Sequence, residues 1–304
     1  MTTLRIIFMG TPEFAVPGLE MLVKNNYTVV AVVTAPDKPQ GRGQKLIPSP
    51  VKEVALKHNI PVLQPTNLKA PGFIEELKSY QANLQIVVAF RMLPEVVWSM
   101  PSLGTFNLHA SLLPQYRGAA PINWAIINGE TETGVTTFFL QHEIDTGSII
   151  FQEKEPITEQ DTIGSLYERL MHKGAQLVLK TVKAIESGNY PSVPQTIGKE
   201  IKHAPKIFKE TCEINWNQPA KKIVDFVRGL SPYPAAWTVL NGKIFKVIKV
   251  ASAAGSQSAV EVGQWVLDNG LKIKVADGWV TIIEFQPEGK KRMLVEEFLR
   301  GNKI

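Results

Sequence analysis

Apolar residues run along this chain in two rhythms, and the change falls near residue 205. In the first two-thirds, short runs that are mostly or wholly apolar (5–9, 29–33, 84–90 and 104–108) alternate with stretches of helical period. After Gly10, residues Phe14, Leu19, Leu22 and Val23 fall roughly on one helical face. Ser49-Pro50 predicts a helix start, because serine caps the first free N–H groups and proline presets the first helical φ. Pro71 opens a second helix in the same way. Strands without polar alternation, separated by helices, belong to a parallel sheet covered on both faces.

Asp161-Thr162 predicts the cap of a long amphipathic helix reaching Ser187, with Gly188 where its C-terminal stop belongs. Prolines 191, 194 and 205 then mark 190–206 as an extended linker. Beyond it the rhythm becomes that of short strands (237–240, 243–250, 271–275 and 279–285). They are divided by Asn241-Gly242, Asn269-Gly270 and Asp277-Gly278. Such turns between β-rich runs predict a small antiparallel barrel of the OB-like kind, a common nucleic-acid platform. The expected organisation is an α/β catalytic domain over 1–189, a linker over 190–206 and an OB-like barrel over 207–304.

Charge sharpens this division. Residues 1–205 carry 18 Lys/Arg against 18 Asp/Glu, and residues 206–304 carry 15 against 10, so the whole formal charge of +5 lies in the C-terminal part. A basic module beside a neutral body suits a polyanionic partner. The single cysteine, Cys212, cannot form an internal disulfide, and no Cys/His cluster has zinc spacing, so neither a structural metal nor an oxidising compartment is expected. The N-terminus reads as a first strand rather than a signal peptide, and no apolar run reaches the ~18 residues that span a bilayer. A cytoplasmic monomer without membrane contact is the expectation.

The densest chemical feature is 106–114, FNLHASLLP. Asn107 and His109 lie two apart at a strand end and therefore point to the same side. An amide and an imidazole together suit acyl transfer, which needs a donor for a developing oxyanion and a group that handles protons near neutral pH. Asp145, after the apolar run 136–140 and before Thr146-Gly147, is placed to orient His109. No serine or cysteine nucleophile is required if an incoming amine attacks. The loop 35–46 carries Lys38, Arg42 and Lys45 among Gly and Pro, a composition suited to clasping a phosphate backbone. Neither a Walker pattern nor G-x-G-x-x-G occurs.

These residues sit within a wider pattern: FMGTPEFAVPGLE (8–20), DKPQGRGQKL (37–46), NLHASLLPQYRGAAPINWAIINGE (107–130), DTG (145–147), APKIFKE (204–210), INW (214–216), LSPYPAAW (230–237), PEGKKRML (287–294) and FLRG (298–301). The pattern resembles the folate-dependent formyltransferase family and, within it, the branch that acts on tRNA. The resemblance implies a Rossmann-like catalytic domain in which Asn107, His109 and Asp145 form the catalytic centre. It implies that Ser111, Leu112, Leu113 and Pro114 lie at the folate site. Loop 37–46, with Lys38, Arg42 and Lys45, would meet the acceptor arm of an initiator methionyl-tRNA. The formyl donor would be 10-formyltetrahydrofolate. A small acceptor amine, such as a purine precursor or an amino sugar nucleotide, is the alternative, although neither the basic loop nor the basic barrel is needed for one. One stretch departs from the family pattern: Phe90-Arg91 stands where a Tyr-Gly pair is common.

Overall fold

The apolar runs of the N-terminal part become the centre of a seven-stranded sheet. The computed structural model describes residues 3–40, 44–196, 198, 200–254 and 260–301. Two compact units are present: Met1–Arg117 with Gly134–Glu155 and Tyr167–Lys202, and Gly118–Thr133 with Pro156–Leu166 and His203–Ile304.

In chain order the first part runs β1 (Arg5–Gly10), α1 (Val16–Lys24), β2 (Thr28–Val33), β3 (Lys38–Gln40), β4 (Lys45–Ile47), α2 (Pro50–Lys57) and β5 (Val62–Leu63). It continues with α3 (Pro71–Ser79), β6 (Leu84–Val88), α4 (Glu95–Trp98), β7 (Thr105–His109), β8 (Arg117–Gly118), α5 (Pro121–Ile127), β9 (Glu132–Phe139), β10 (Ile149–Pro156) and α6 (Ile163–Ser187). The sheet order is β10-β9-β7-β6-β1-β2-β5. Strands β5, β2, β1, β6 and β7 are mutually parallel, whereas β9 pairs antiparallel with β7. The predicted parallel sheet is therefore Rossmann-like at its centre and mixed at one edge. The central runs lack alternation because both faces are buried: Ile6, Ile7, Phe8 and Met9 of β1 are all fully inaccessible. Burying four such side chains contributes roughly 1.5–3 kcal/mol each.

Helix starts follow local chemistry. Ser49 Oγ accepts the Lys52 N–H at 3.1 Å ahead of α2, and Pro50 occupies the first helical position. Pro71 does the same for α3. Thr162 Oγ1 accepts the Ser165 N–H at 3.3 Å at the start of α6.

The second unit contains β11 (His203–Ala204), α7 (Ala220–Leu230), β12 (Ala236–Leu240), β13 (Lys243–Ala253), β14 (Trp265–Leu267), β15 (Leu271–Val275), β16 (Gly278–Pro287), β17 (Met293–Leu294) and α8 (Val295–Leu299). Its sheet order is β12-β13-β16-β15-β14, with β17 added to β16, and the pairings are antiparallel. Among the described residues the outer strands β12 and β14 do not pair with each other, so the sheet is a curled half-barrel of the partly open, OB-like kind. Asn241 (φ 46°) and Gly242 (φ 75°) both take the left-handed conformation that a two-residue hairpin turn of this twist demands. Phe245, Phe285 and Phe298 pack edge to face, with centroids 5.2, 5.3 and 6.3 Å apart.

Candidate active site

Strand β7 carries the first two candidate residues. Its alternation puts Phe106 and Leu108 on one face and Thr105, Asn107 and His109 on the other. Asn107 lies opposite Phe138 and His109 opposite Thr136 across the β7–β9 pair. Asn107 is partly exposed, and its carboxamide makes no hydrogen bond to another described residue, so its N–H groups stay available to a ligand.

His109 is held from one side. Its Nε2 lies 2.8 Å from the main-chain oxygen of Tyr116. A carbonyl only accepts, so Nε2 carries a proton and Nδ1 is the nitrogen left for chemistry. Nδ1 faces Asp145, with 3.9 Å to Oδ2. That is ion-pair range rather than a hydrogen bond, and catalytic contacts in unliganded sites are often this loose. Both side chains are well enclosed, 7% and 12% exposed, so their interaction is weakly screened by solvent. The structure thus brings His109 and Asp145 together from two separate chain segments.

Asp145 itself sits at φ 55°, a left-handed conformation uncommon for non-glycine residues, although aspartate tolerates it better than most. The connection after β9 folds back on itself. A Cβ added to Gly147 would lie 1.6 Å from the Phe139 carbonyl oxygen, so only glycine fits.

The stretch 111–114 is knitted to β9 and β10. Ser111 Oγ donates to the Gln115 carbonyl at 2.6 Å. Thr136 Oγ1 donates to the Ser111 carbonyl at 2.6 Å and accepts the Leu113 N–H at 3.2 Å. Gln152 Nε2 donates to the Leu113 carbonyl at 2.8 Å. Ser111 and Leu113 are buried, while Leu112 and Pro114 are partly exposed, and the Leu113–Pro114 bond is cis. Arg91 turns away to main-chain oxygens, donating to Thr66 O at 3.0 Å and to Pro65 O, with its guanidinium 5.6 Å from the Phe90 ring centroid. It lines an open cavity of about 390 Å³ shared with Thr66, Leu68, Lys69 and Met92, to which none of Asn107, His109 or Asp145 contributes.

Of the basic loop, Lys38 is exposed on β3, the backbone of Lys45 belongs to β4, and Arg42 lies outside the described residues. The loop's base is fixed by a network that sequence reading missed. Lys52 Nζ donates to Asp37 Oδ2 at 2.6 Å and to Gln64 Oε1 at 2.8 Å. Gln64 Nε2 donates to Asp37 Oδ1 and to the Ala35 carbonyl, both at 2.8 Å. The Lys52 and Gln64 hydrogen bonds hold the Asp37 carboxyl below the usual carboxylate range. In the second unit, Lys243, Lys246 and Lys249 of β13 are all exposed, because bulges on either side of Lys249 keep it outward alongside Lys246. Among the described residues no His/Cys/Asp/Glu group is arranged to hold a metal ion, and no helix is long and apolar enough to cross a membrane.

An amide and an imidazole on β7, with a carboxylate facing the imidazole, are the kinds of group that acyl transfer uses to stabilise charge on a carbonyl oxygen and to move a proton. The chain belongs to the formyl transferase family: the formyl transferase model matches residues 4–182, and the model of the formyl transferase C-terminal domain matches 206–303. It is 55% identical over 98% of its length to the methionyl-tRNA formyltransferase of Bacteroides fragilis, spanning 95% of that protein. Among solved structures it resembles an N-formyltransferase from Helicobacter canadensis in complex with folinic acid and dTDP-3-aminofucose (TM-score 0.69, 22% identity, 93% of this chain and 99% of that one). It also resembles HypX from Aquifex aeolicus in complex with tetrahydrofolic acid (TM-score 0.66, 21% identity, 99% of this chain and 48% of that one). At such identities these structures bear on the fold alone.

Proposed function

We propose that this chain transfers a formyl group from 10-formyltetrahydrofolate to the free amino group of methionyl-initiator tRNA and so supports translation initiation in the cytoplasm, acting as a monomer. In this reading 1–189 forms the catalytic module, 190–206 a connecting segment and 207–304 a tRNA-binding module. The observation that carries the chemistry is the enclosed His109–Asp145 pair beside the unoccupied amide of Asn107.

A formyl-bearing tetrahydrofolate supplies the activated one-carbon unit. The residues present fit such a group: Leu112 and Pro114 are partly exposed, apolar and rigidly mounted after β7, and Phe90 follows β6. Ser111 and Leu113, committed to internal hydrogen bonds, act as the frame that holds Leu112 and Pro114. As the amine adds to the formyl carbon, Asn107 donates an N–H to the oxygen that becomes negative. Nδ1 of protonated His109 donates a second. Asp145 supports that protonated ring and takes the proton the amine must lose. As the carbonyl re-forms, the bond between the formyl carbon and the folate nitrogen breaks, and that nitrogen leaves with a proton passed back from the His109–Asp145 pair. A donor of this kind is typically worth about 3–4 kcal/mol, or 100–1000-fold in rate.

Lys38, Arg42 and Lys45, with the exposed lysines of β13, supply phosphate contacts to the tRNA. The 55% identity to a methionyl-tRNA formyltransferase over nearly the whole chain favours this acceptor over a small amine. The test supplies charged initiator methionyl-tRNA, charged elongator methionyl-tRNA, free methionine and an amino sugar nucleotide to the enzyme with 10-formyltetrahydrofolate. Formylation of the initiator species alone is expected, with single-turnover rates about 100-fold or more lower in Asn107→Ala, His109→Ala and Asp145→Ala. Near-parental rates in all three variants, or preference for the sugar, would end the assignment.

A further inference from the structure

The segment after α6, expected above as a linker, is strapped to the catalytic centre. Val193 exchanges two main-chain hydrogen bonds with Ile149, at 2.8 and 2.9 Å. Two residues on, Gln195 spreads its amide across the turn that carries Asp145. Its Nε2 donates to the Asp145 carbonyl at 2.8 Å and to the Gly147 carbonyl at 2.9 Å. Its Oε1 accepts from Arg117 Nη2 at 2.6 Å. Arg117 directly follows Tyr116, whose carbonyl holds His109. Further along the strap, the Lys202 carbonyl accepts the Tyr116 N–H at 2.6 Å, and Lys202 N donates to Gln115 Oε1 at 2.8 Å. One stretch of chain therefore touches the mounts of both members of the His109–Asp145 pair.

Stability alone does not account for this arrangement. Arg117 leaves its Nε buried without an acceptor, which is costly for a charged group. Asp145 is held in a left-handed conformation that few non-glycine residues adopt. Among the described residues, the Gln195 side chain bridges the segments that carry these two features.

We infer that Gln195 is a positioning residue for Asp145: its amide, locked by Arg117, pins the 145–147 turn so that the Asp145 carboxylate faces Nδ1 of His109. The inference rests on the reading of Asp145 as part of the catalytic centre. Displacement of a reacting group by about 1 Å can cost 100-fold in rate, so releasing the turn should slow the chemical step without weakening either substrate.

The test compares Gln195→Met, which keeps size and loses the amide, with Gln195→Asn, whose amide is too short to span both carbonyls. Single-turnover formyl transfer, KM for charged initiator tRNA, binding of 10-formyltetrahydrofolate and melting temperature are measured for each, alone and combined with Asp145→Asn. Both variants should transfer formyl roughly 10- to 100-fold more slowly, with KM and donor binding within about twofold of the parent. On the Asp145→Asn background they should add less than about twofold, because a positioning residue has nothing left to position. Parental rates in both variants, losses confined to KM, or losses that multiply fully with Asp145→Asn would each overturn the inference. If Asp145→Asn itself keeps near-parental transfer, the catalytic reading of Asp145 fails and the inference with it. If Asp145→Asn is crippled while both Gln195 variants are normal, only the inference fails.

Discussion

Two loops of the first unit carry residues that the proposed function uses, and they are built in opposite ways. The connection holding Asp145 is enclosed. Gly147 lies against the Phe139 carbonyl and Gln195 bridges the two flanking carbonyls, while the Asp145 side chain is 12% exposed. The basic loop between Asp37 and Ser49 is fixed at its base by Lys52 and Gln64, and its Lys38, Leu46 and Ile47 face solvent. The difference suits the task proposed for each. Charge stabilisation in a transition state needs groups already in place, since any reorganisation adds to the barrier. Gripping a phosphate backbone needs reach and cationic charge, and individual contacts are interchangeable.

The sharpest way to break the comparison is at Gly147. A methyl group there meets main-chain oxygen, which cannot rotate aside as a side chain would. Gly147→Ala should therefore displace the whole turn and lower single-turnover transfer by at least about 100-fold, while tRNA affinity stays within a few-fold. A variant with normal catalysis would show that the turn tolerates movement and that the two loops differ less than their packing indicates.

Much of this design was legible in sequence, and the illegible parts share a cause. Strands β1 and β6 announced themselves because burial on both faces leaves a nearly unbroken apolar run. Ser49 and Thr162 were readable as caps because capping is local chemistry. Helix α7 is not among the expected elements, although Ile223, Val227 and Leu230 keep helical spacing. The third expected turn also shifted: β16 begins at Gly278, so the reversal uses Ala276 and Asp277. Asn107 and His109 were legible as a same-side pair on one strand. The meeting of His109 with Asp145 depends on a fold-back after β9 that no local pattern encodes. Gln195 carried no signal at all, because an isolated glutamine in a proline-rich stretch looks like linker, and its role comes from three partners distant in sequence.

On the basic loop the expected effects are smaller and of another kind. Arg42→Ala should raise KM for charged initiator tRNA roughly tenfold and reduce the slope of log affinity against log salt by about one, as loss of one phosphate contact does. Donor binding and single-turnover transfer at saturating tRNA should be unchanged. Equal damage to donor binding would mean that this loop, like the Asp145 turn, belongs to the reaction centre.

The mildest test concerns the loop's base. Hydrogen bonds from Lys52 and then Gln64 hold the Asp37 carboxyl below its ordinary range, so the folded pKa lies under the unfolded one. The sign follows directly: the anchoring free energy is fully present above the ordinary carboxylate pKa of about 3.9 and is lost only as pH falls through the lower folded value. Base anchoring should therefore be insensitive to pH throughout the neutral range. Lys52→Met removes the leading cause, so Asp37 should titrate closer to the ordinary value, as read from its carboxyl carbon by NMR. KM for tRNA should rise only two- to fourfold, about 0.4–0.8 kcal/mol, because the base positions cations without contacting phosphate itself. An Asp37 titration unmoved by the substitution would show that Gln64 and the Ala35 carbonyl suffice to fix the base. A fall in single-turnover transfer would instead tie this anchor to catalysis and erase the division of labour between the two loops.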